Sequence, residues 1–579
     1  MDGDNKICNN DHERLAALLF PDGEDGRDAG DFEALYPHRG LPEGAAVTRL
    51  GPSPTGFVHL GNLFMATVNT RLAQQSGGVC YLRVEDTDRK REVAGAVEML
   101  LRSLAYFGIS FGEGVTLPGG GEGEGGEAGG QAVEKGAYGP YYQSRRREVY
   151  HAFAKKLVLA GKAYPCFLTE AEIEEIRAEQ EAGKELPGIY GPYARWRGAA
   201  YEEVEGRIRA GEPWVLRINA DLCETEESVT DGIRGPLTLP RNVLDTVILK
   251  TDGLPTYHFA HVVDDHLMRT THVIRGEEWL PSLPIHLMLT AALGFAAPVY
   301  CHTALLMKID GQTGTKRKLS KRKDPELALS WYMAEGYHPA ALTEYLLTVI
   351  NSDYEEWRLA NPQADSGQFT VTTGKMGASG ILFDLKKLED VSKDTLLRIP
   401  AGALADFLLD WAQRENPDAH RVLSENKITL VHALDVGRTG AKPRKDLAYA
   451  KQIFEFIGYF FDEFFAITEP LPDNVTHEDA ALIWGDYLKS YDHGDDRDVW
   501  FSKIRGIAEA RGYAPRPKDF KQDPDAWKGH VGDVSCVIRL ALVGRKDSPD
   551  LWEIQQILGE ARVRARVAGA AGKLGQGSR

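Results

Sequence analysis

VTRLGPSPTGFVHLGNLFMATVNTRLAQQSGGVCYLRVEDTD, residues Val47 to Asp88, is the stretch whose pattern decides the fold. Val47 to Leu50 alternates like a short strand, and the following GPSPTG is Pro/Gly turn chemistry. From Asn62 the apolar residues Phe64, Val68 and Leu72 fall four apart on one helical face, and Gly77-Gly78 supplies the stop. Val79 to Val84 is a second apolar strand run. The unit reads as β-loop-α-β, which predicts two parallel strands joined by a right-handed crossover.

Ligands of such units bind at the carboxyl ends of the strands. Gly51, Ser53, Thr55, His59 and Gly61 crowd the end of the first strand and the start of the helix. Glu85, Asp86 and Asp88 crowd the end of the second. Backbone N–H groups and the positive helix end favour phosphate there, with His59 and Thr55 as further donors. The spacing is neither GxxxxGK[ST] nor GxGxxG, which argues against a P-loop and a dinucleotide fingerprint. On spacing alone, an ordinary βαβ unit with a hydrogen-bonded histidine explains the stretch equally well.

The whole chain has 579 residues, too many for one core, and its length suggests about four domains. A 43% hydrophobic content supports globular domains. With 68 basic and 85 acidic residues the net charge is −17, which on average argues mildly against a nucleic-acid partner; a local basic face is compatible with an acidic whole. The six cysteines (Cys8, Cys80, Cys166, Cys223, Cys301, Cys536) form no CxxC pair and read as reduced thiols of a cytosolic protein. The charged N-terminus lacks the apolar core of a signal peptide, and no stretch approaches membrane-span length.

Residues 1–45 read as a polar extension with one short helix around Arg14–Phe20 and no assignable chemistry. Val93 to Phe107 has helical spacing. Residues 112–136, almost wholly Gly and Glu, read as a flexible surface insertion without the strand and helix flanks of a phosphate loop. Arg147–Gly161 is helical, and residues 139 to about 240 form a mixed insertion. Strand character returns at VILK (247–250). His258, His261, Asp264, Asp265 and His266 look superficially like a metal cluster, but the segment is too short to aim five side chains at one point. TGTKRKLSKRKDPE (313–326) is a basic run suited to a phosphate or nucleic acid. Residues 400–579 repeat helical periodicity, as in Ile453–Phe465, Ala480–Lys489 and Val534–Leu542.

PSPTGFVHLGN resembles the HIGH-type motif of class I aminoacyl-tRNA synthetases in its glutamyl form, with His59-Leu60-Gly61-Asn62 as the tetrapeptide. YHFAHVVDDHLM (257–268) and VIRGEEWL (273–280) are similar to paired signatures of the glutamyl branch. Lys318-Leu319-Ser320-Lys321-Arg322 resembles the KMSKS loop, with Leu319 for Met and Arg322 for the last Ser. FDLKKLEDVSKD (383–394) looks like the stem-contact region, and the helical tail matches a bacterial-type anticodon-binding region. The ordered set is far more specific than any single motif; it runs from about 46 to 350 and more faintly onward.

The resemblance implies an α/β fold: a split Rossmann-like catalytic domain with a connective insertion, followed by helical stem-contact and anticodon-binding domains. The expected boundaries are an extension 1–45, catalytic halves 46–138 and 241–325, the acceptor-binding insertion 139–240, a stem-contact region 326–400 and a helical region 401–579. It implies a bacterial-type glutamate–tRNA ligase acting with ATP and Mg²⁺ on L-glutamate and tRNA(Glu), with tRNA(Gln) left open, as a cytoplasmic monomer without membrane contact. The glutamate site would comprise Arg49, Gly51, Ser53, Glu85, Tyr257, His261 and Arg275, many family members having Asn in place of His261. The ATP site would comprise Thr55, His59, Gly61, Asn62, Glu278, Lys318, Ser320 and Lys321, bordered by Trp279. His59, Lys318 and Lys321 would serve catalysis. Some members bind zinc through a CxC pair and a later Cys; here Cys166 is followed by Leu168, and Ala194 stands near the later position, so no metal is expected.

Three rivals remain beside this reading. A truncated-family enzyme that glutamylates a modified tRNA base lacks a long helical tail. A glutaminyl enzyme carries a β-barrel tail. A catalytically silent tRNA-binding module would have lost His59, Gly61 or Lys321, all of which are present.

Overall fold

The computed structural model of the protein describes residues 9–21, 26–88, 90, 92–118, 130–224, 228–438 and 443–574. Its contacts divide the chain into two compact units. One runs through Trp331 and includes Leu346–Asp384; the other joins Tyr332–Tyr345 to Leu385 and everything after it.

In the first unit, β1 (Val47–Leu50) and β2 (Val79–Leu82) are parallel, paired from Val47↔Val79 to Leu50↔Leu82. The Leu60–Gln75 helix between them starts two residues before its periodicity predicts. The cause is Asn62, whose side-chain oxygen accepts the His59 N–H at 2.9 Å and satisfies an amide at the helix entrance. β3 (Glu113–Thr116) adds to β2 in parallel, and β4 (Val133–Lys135) closes the sheet in antiparallel fashion.

The expectation of a flexible insertion over 112–136 is thereby corrected at both ends, while residues 119–129 lie outside the described residues. Glu-Gly-Val-Thr is long enough to pair, and its first carboxylate is anchored. Arg39 grips Glu113 with both terminal nitrogens (2.8 and 2.7 Å), and the Tyr141 hydroxyl donates to it (3.0 Å). The segment before β1 also differs from the sequence reading. It holds two helices, Asn9–Leu19 and Ala29–Leu35, the second opened by a reciprocal Asp28/Asp31 capping box. It is fastened to the unit by Tyr36 Oη to the Gly139 carbonyl (2.8 Å) and by Arg269 Nε to the Tyr36 carbonyl (3.0 Å).

The insertion after β4 begins with the Arg147–Leu159 helix and contributes β5 (Ala163–Cys166) and β6 (Val215–Ile218). The hairpin β7 (Ser228–Asp231) and β8 (Gly235–Thr238) follows. β9 (Val247–Leu249) then joins β6. After the Tyr257–Leu267 helix come β10 (His272–Gly276) and β11 (Val299–Thr303), again parallel. β10 enters beside β1, where the Thr271 N–H donates to the Val47 carbonyl (3.0 Å) and the Val47 N–H to Thr271 Oγ1 (2.8 Å). Strands therefore advance from β1 in one direction to β2 and β3 and in the other to β10 and β11. That reversal opens a crevice at the carboxyl ends of β1 and β10. β12 (Leu306–Ile309), β13 (Lys316–Lys318) and β14 (Ile381–Leu382) form a small sheet beyond it.

The second unit is helical around one core that includes Leu408, Trp484, Ile504, Val537 and Ile538. Some of its buried polar groups pair within this core: Trp484 Nε1 donates to the Val537 carbonyl (2.9 Å) and the Tyr487 hydroxyl to Gln555 (2.5 Å). The helix expected over Ile453–Phe465 ends at Ile457 and passes into a 3₁₀ turn, Gly458–Phe460. Tyr459, Phe460 and Phe461 are all buried, and three successive residues cannot share one face of an α-helix. Among the described residues no helix is long and apolar enough to cross a membrane.

Arg39 and Glu113 are both largely buried. Arg39→Ala leaves that carboxylate with one donor, and thermal or denaturant unfolding should show a loss of about 2–4 kcal/mol. A change below about 0.5 kcal/mol would show that the N-terminal segment is not fastened through this pair.

Candidate active site

The crevice at the ends of β1 and β10 is a cleft of about 530 Å³. Its walls carry Arg49, Gly51, Ser53, Thr55, His59, Gly61, Asn62, Glu85, Tyr257, Arg275, Glu278 and Lys318, drawn from all four sequence signatures. Phe57, Met65 and Trp279 add apolar surface.

Local sequence explains the first wall. The glycines permit close approach: a Cβ on Gly51 would collide with the Glu85 carboxylate, and one on Gly61 would meet the His59 ring at 2.9 Å. His59 caps the Leu60–Gln75 helix from an extended conformation. Burial and the neighbouring Lys318 lower its pKa, so the imidazole is a neutral donor or acceptor above its ordinary range.

Behind this wall lies a buried charge network. Asp265 accepts from Arg49 Nε (3.2 Å), Arg83 Nη1 (2.6 Å) and His261 Nδ1 (2.8 Å). Arg83 also donates to Glu85 (3.1 Å). Burial alone would raise Asp265, but Arg49 and Arg83 hold it well below the usual carboxylate range. Burial pushes Glu85 up, against the pull of Arg83 and Arg49. The adjacent Asp264 faces a different set: Arg146 Nε (2.7 Å), Gln143 Nε2 (2.9 Å) and the Tyr150 hydroxyl (2.8 Å).

The five residues with a superficial metal spacing thus diverge. Asp264 bonds Arg146, Asp265 bonds Arg49 and Arg83, His261 meets Asp265, and His266 stacks on Phe295 at 3.5 Å while bonding Glu33. His258 Nδ1 lies 2.9 Å from His286 Nε2.

Three sequence-expected residues do not line the cleft. His261 is fully buried behind Tyr257, their rings stacked at 5.7 Å, because Asp265 holds its Nδ1 and the Tyr300 hydroxyl lies 3.4 Å from its Nε2. Ser320 and Lys321 follow β13 outside the walls; the Ser320 N–H donates to Asp324 (2.8 Å), and Lys321 Nζ sits 4.3 Å above the Phe57 ring. Tyr257 packs against Trp279 at 4.4 Å, and burial pushes its phenol up to about 12, so it is a neutral donor.

Sequence reasoning missed the residues that hold these walls. Arg275 donates through Nε to His302 Nε2 (2.9 Å) and through Nη1 to His286 Nδ1 (3.0 Å). Arg317 clamps Asp324 with both terminal nitrogens (2.6 and 2.8 Å) and Asp310 with Nε (3.0 Å), which fixes the loop after Lys318. The available signals were charged residues inside apolar runs: Arg83 within VCYLRV, the Asp264-Asp265 pair within a helix, and His302 within a strand. Chemically the cleft offers arginines for carboxylates, a buried carboxylate for an ammonium, and a helix entrance with nearby lysine for phosphates.

Residues 45–390 match the family model described as tRNA synthetases class I (E and Q), catalytic domain. The chain is similar to the glutamate–tRNA ligase of Acetivibrio thermocellus, with 53% identity over 560 residues, 96% of this chain and 99% of the relative. It is 46% identical to that of Clostridium perfringens (strain 13 / Type A) over 561 residues, 96% of this chain and 100% of the relative. A crystal structure of a glutamate tRNA ligase from Elizabethkingia meningosepticum in complex with its amino acid superposes with a TM-score of 0.70 at 26% identity, covering 91% of this chain and 99% of that one.

His261 generates a pH prediction. The unfolded imidazole takes a proton near its ordinary value of 6.5, whereas burial lowers the folded group to about 3. Its contribution to stability is complete above about pH 6.5 and declines as pH falls, by up to about 1.4 kcal/mol per pH unit. Asp265 is ionised in both states between about pH 7 and 5 and adds no slope there. Thermal unfolding should lose midpoint over that window, and His261→Asn should lose less. Equal losses would remove His261 as a source.

Proposed function

Because the chain belongs to the class I tRNA synthetases of the glutamate and glutamine type, we infer that it is a ligase that activates L-glutamate with ATP and transfers it to the 3′ end of tRNA(Glu). The observation that carries the inference is the assembly of one cleft from four distant signatures, with arginines and a carboxylate on one wall and a helix entrance with Lys318 on the other.

In this reading Arg49 and Arg275 take the carboxylates of the amino acid, Glu85 its ammonium, and Tyr257 donates a neutral hydroxyl. Gly51 and Ser53 let the substrate approach β1. His261 acts from behind the cleft by stacking on Tyr257 and bonding Asp265. Thr55, His59, Gly61 and Asn62 form the phosphate side, with Glu278 at its border. The α-carboxylate oxygen attacks the α-phosphorus of ATP, the bond to the β-phosphate oxygen breaks, and pyrophosphate leaves. A terminal ribose hydroxyl of tRNA then attacks the acyl carbon and AMP leaves. Such chemistry needs alignment and charge stabilisation more than covalent help. His59 donates to phosphate, and Lys318 and Lys321, with Ser320 ordering their loop, stabilise charge developing on pyrophosphate.

Mg²⁺ enters with the ATP phosphates, and we assign it no protein ligands. No zinc is assigned, since Cys166 is a lone soft ligand, with Leu168 and Ala194 standing where its partner cysteines would fall. Use of tRNA(Gln), a monomeric state and a cytoplasmic location belong to the same proposal. So does the division into an extension, two catalytic halves around an acceptor-binding insertion, a stem-contact region and an anticodon-binding region.

Aminoacylation with radiolabelled glutamate, on purified tRNA(Glu) and tRNA(Gln) separately, tests the reading. Charging of tRNA(Glu) is the expected result, and charging of both would assign the broader tRNA use. Charging of neither by folded protein would overturn the proposal in favour of a silent tRNA-binding module. Lys321→Ala should lower kcat by about tenfold to a thousandfold with tRNA affinity little changed; a wild-type kcat would remove Lys321 from the chemistry.

A further inference from the structure

Arg275 is held in an unusual way for a buried arginine. Its Nε and Nη1 donate to two histidine nitrogens, His302 Nε2 and His286 Nδ1, and its Nη2 has no hydrogen-bond partner among the described residues. Only an unprotonated ring nitrogen accepts from a guanidinium, so these bonds fix both tautomers. His302 must carry its proton on Nδ1, which lies 2.6 Å from Asp231 Oδ2. His286 must carry its proton on Nε2, which faces His258 Nδ1 at 2.9 Å. Burial lowers the pKa of both histidines, in keeping with neutral rings.

Asp231 sits at the end of β7, in the hairpin inserted between the two halves of the parallel sheet. Its Oδ1 accepts the N–H groups of Ile233 and Arg234, each at 2.9 Å, and its Oδ2 accepts the His302 N–H at 3.1 Å as well as Nδ1. Arg234 Nε then donates to the His302 carbonyl at 3.0 Å, so the hairpin grips His302 from both sides.

The other arginine of the cleft is treated differently, since Arg49 is bonded directly to the Asp265 carboxylate. A carboxylate in contact with Arg275 would neutralise much of its charge before any ligand arrived. Resting on the reading of the cleft proposed above, we infer that Asp231, His302 and His286 are positioning residues that orient Arg275 through neutral acceptors and leave its charge and its Nη2 donors for a substrate carboxylate. Amino acids with a side-chain carboxylate are thereby selected over the corresponding amides, because an amide nitrogen facing the guanidinium leaves both groups unpaired.

Asp231→Asn gives the sharpest test. The Ile233 and Arg234 amides hold the asparagine oxygen, which turns its NH₂ towards His302 Nδ1. The ring proton must then move to Nε2, where it opposes the Nε–H of Arg275. Aminoacylation by the full chain should show the KM for glutamate raised about tenfold or more, kcat within about threefold, and weaker preference for glutamate over glutamine measured as competitive inhibition. His302→Leu, which removes the acceptor, should do the same. His302→Gln offers a carboxamide oxygen to Arg275 and should return KM most of the way; in that background Asp231→Asn should add little, since no tautomer remains to be set. A role confined to folding would not produce that rescue.

Arg275→Ala separates the two levels of inference. If it leaves the KM for glutamate unchanged, the assignment of the cleft fails. If it raises KM while Asp231→Asn and His302→Leu do not, or if those variants lower kcat alone, the positioning role is overturned. Should Asp231→Asn fail to fold, His286→Leu against His286→Asn asks the same question at the second acceptor, with a KM defect expected only in the first.

Discussion

Asp265 accepts bonds from Arg49, Arg83 and His261 at a position almost closed to water, and the cleft depends on that convergence. Its neighbour Asp264 collects Arg146, Gln143 and Tyr150 from the beginning of the insertion. Two consecutive carboxylates on one helix thus tie together β1, the end of β2, the insertion and the second half of the parallel sheet. Breaking one partner of a buried pair leaves an uncompensated charge costing roughly 3–5 kcal/mol. The network is therefore intact or strongly disfavoured, with little room for partial closure. A cleft walled by side chains from distant segments acquires definite geometry from that property.

The network also decides how charge is distributed around the cleft. Arg49 and Arg83 each face carboxylates, so much of their charge is balanced inside the wall. Arg275 faces neutral imidazoles. His59 stays neutral beside Lys318, which makes it a hydrogen-bonding group and leaves Lys318 as the formal cation on that side. Glu85 is buried and bonded to Arg83, and burial makes it easier to protonate than an exposed glutamate. An ammonium placed beside it would favour the anion, so ligand and carboxylate stabilise each other's charged forms.

What could be read from the sequence follows a physical divide. The strand Val47–Leu50, the Pro/Gly turn and the helix after His59 depend on neighbours within a few residues, and their patterns are local. Most wall residues were legible for a different reason: they sit in signatures whose resemblance to a family fixes their place. The groups that hold those walls were not legible. Asp231 and His302 are 71 positions apart, and Arg83 and Asp265 are 182 apart; no periodicity links such pairs. The N-terminal segment looked like an appendage because its anchors, Tyr36, Arg39 and Glu33, find their partners at Gly139, Glu113 and Arg269. His261 was placed in the pocket by resemblance, yet the Asp265 bond draws it behind Tyr257.

The loop after β13 extends the same logic to the phosphate side. Arg317 engages both oxygens of Asp324, whose carboxyl it holds well below the usual range, and Ser320 adds a backbone donor. That acid is consequently occupied inside the loop. Lys318 lines the cleft, and Lys321 rests on the face of Phe57, itself part of the cleft wall. A cation on an aromatic face keeps its charge and gives up little when an anion draws it away. Acids thus neutralise Arg83, Arg49 and Arg317, whereas Arg275 is held by neutral imidazoles and Lys321 rests on an aromatic face. An anionic ligand that reaches Arg275 meets a charge held by neutral acceptors, and its binding energy goes to contacts at the reacting groups.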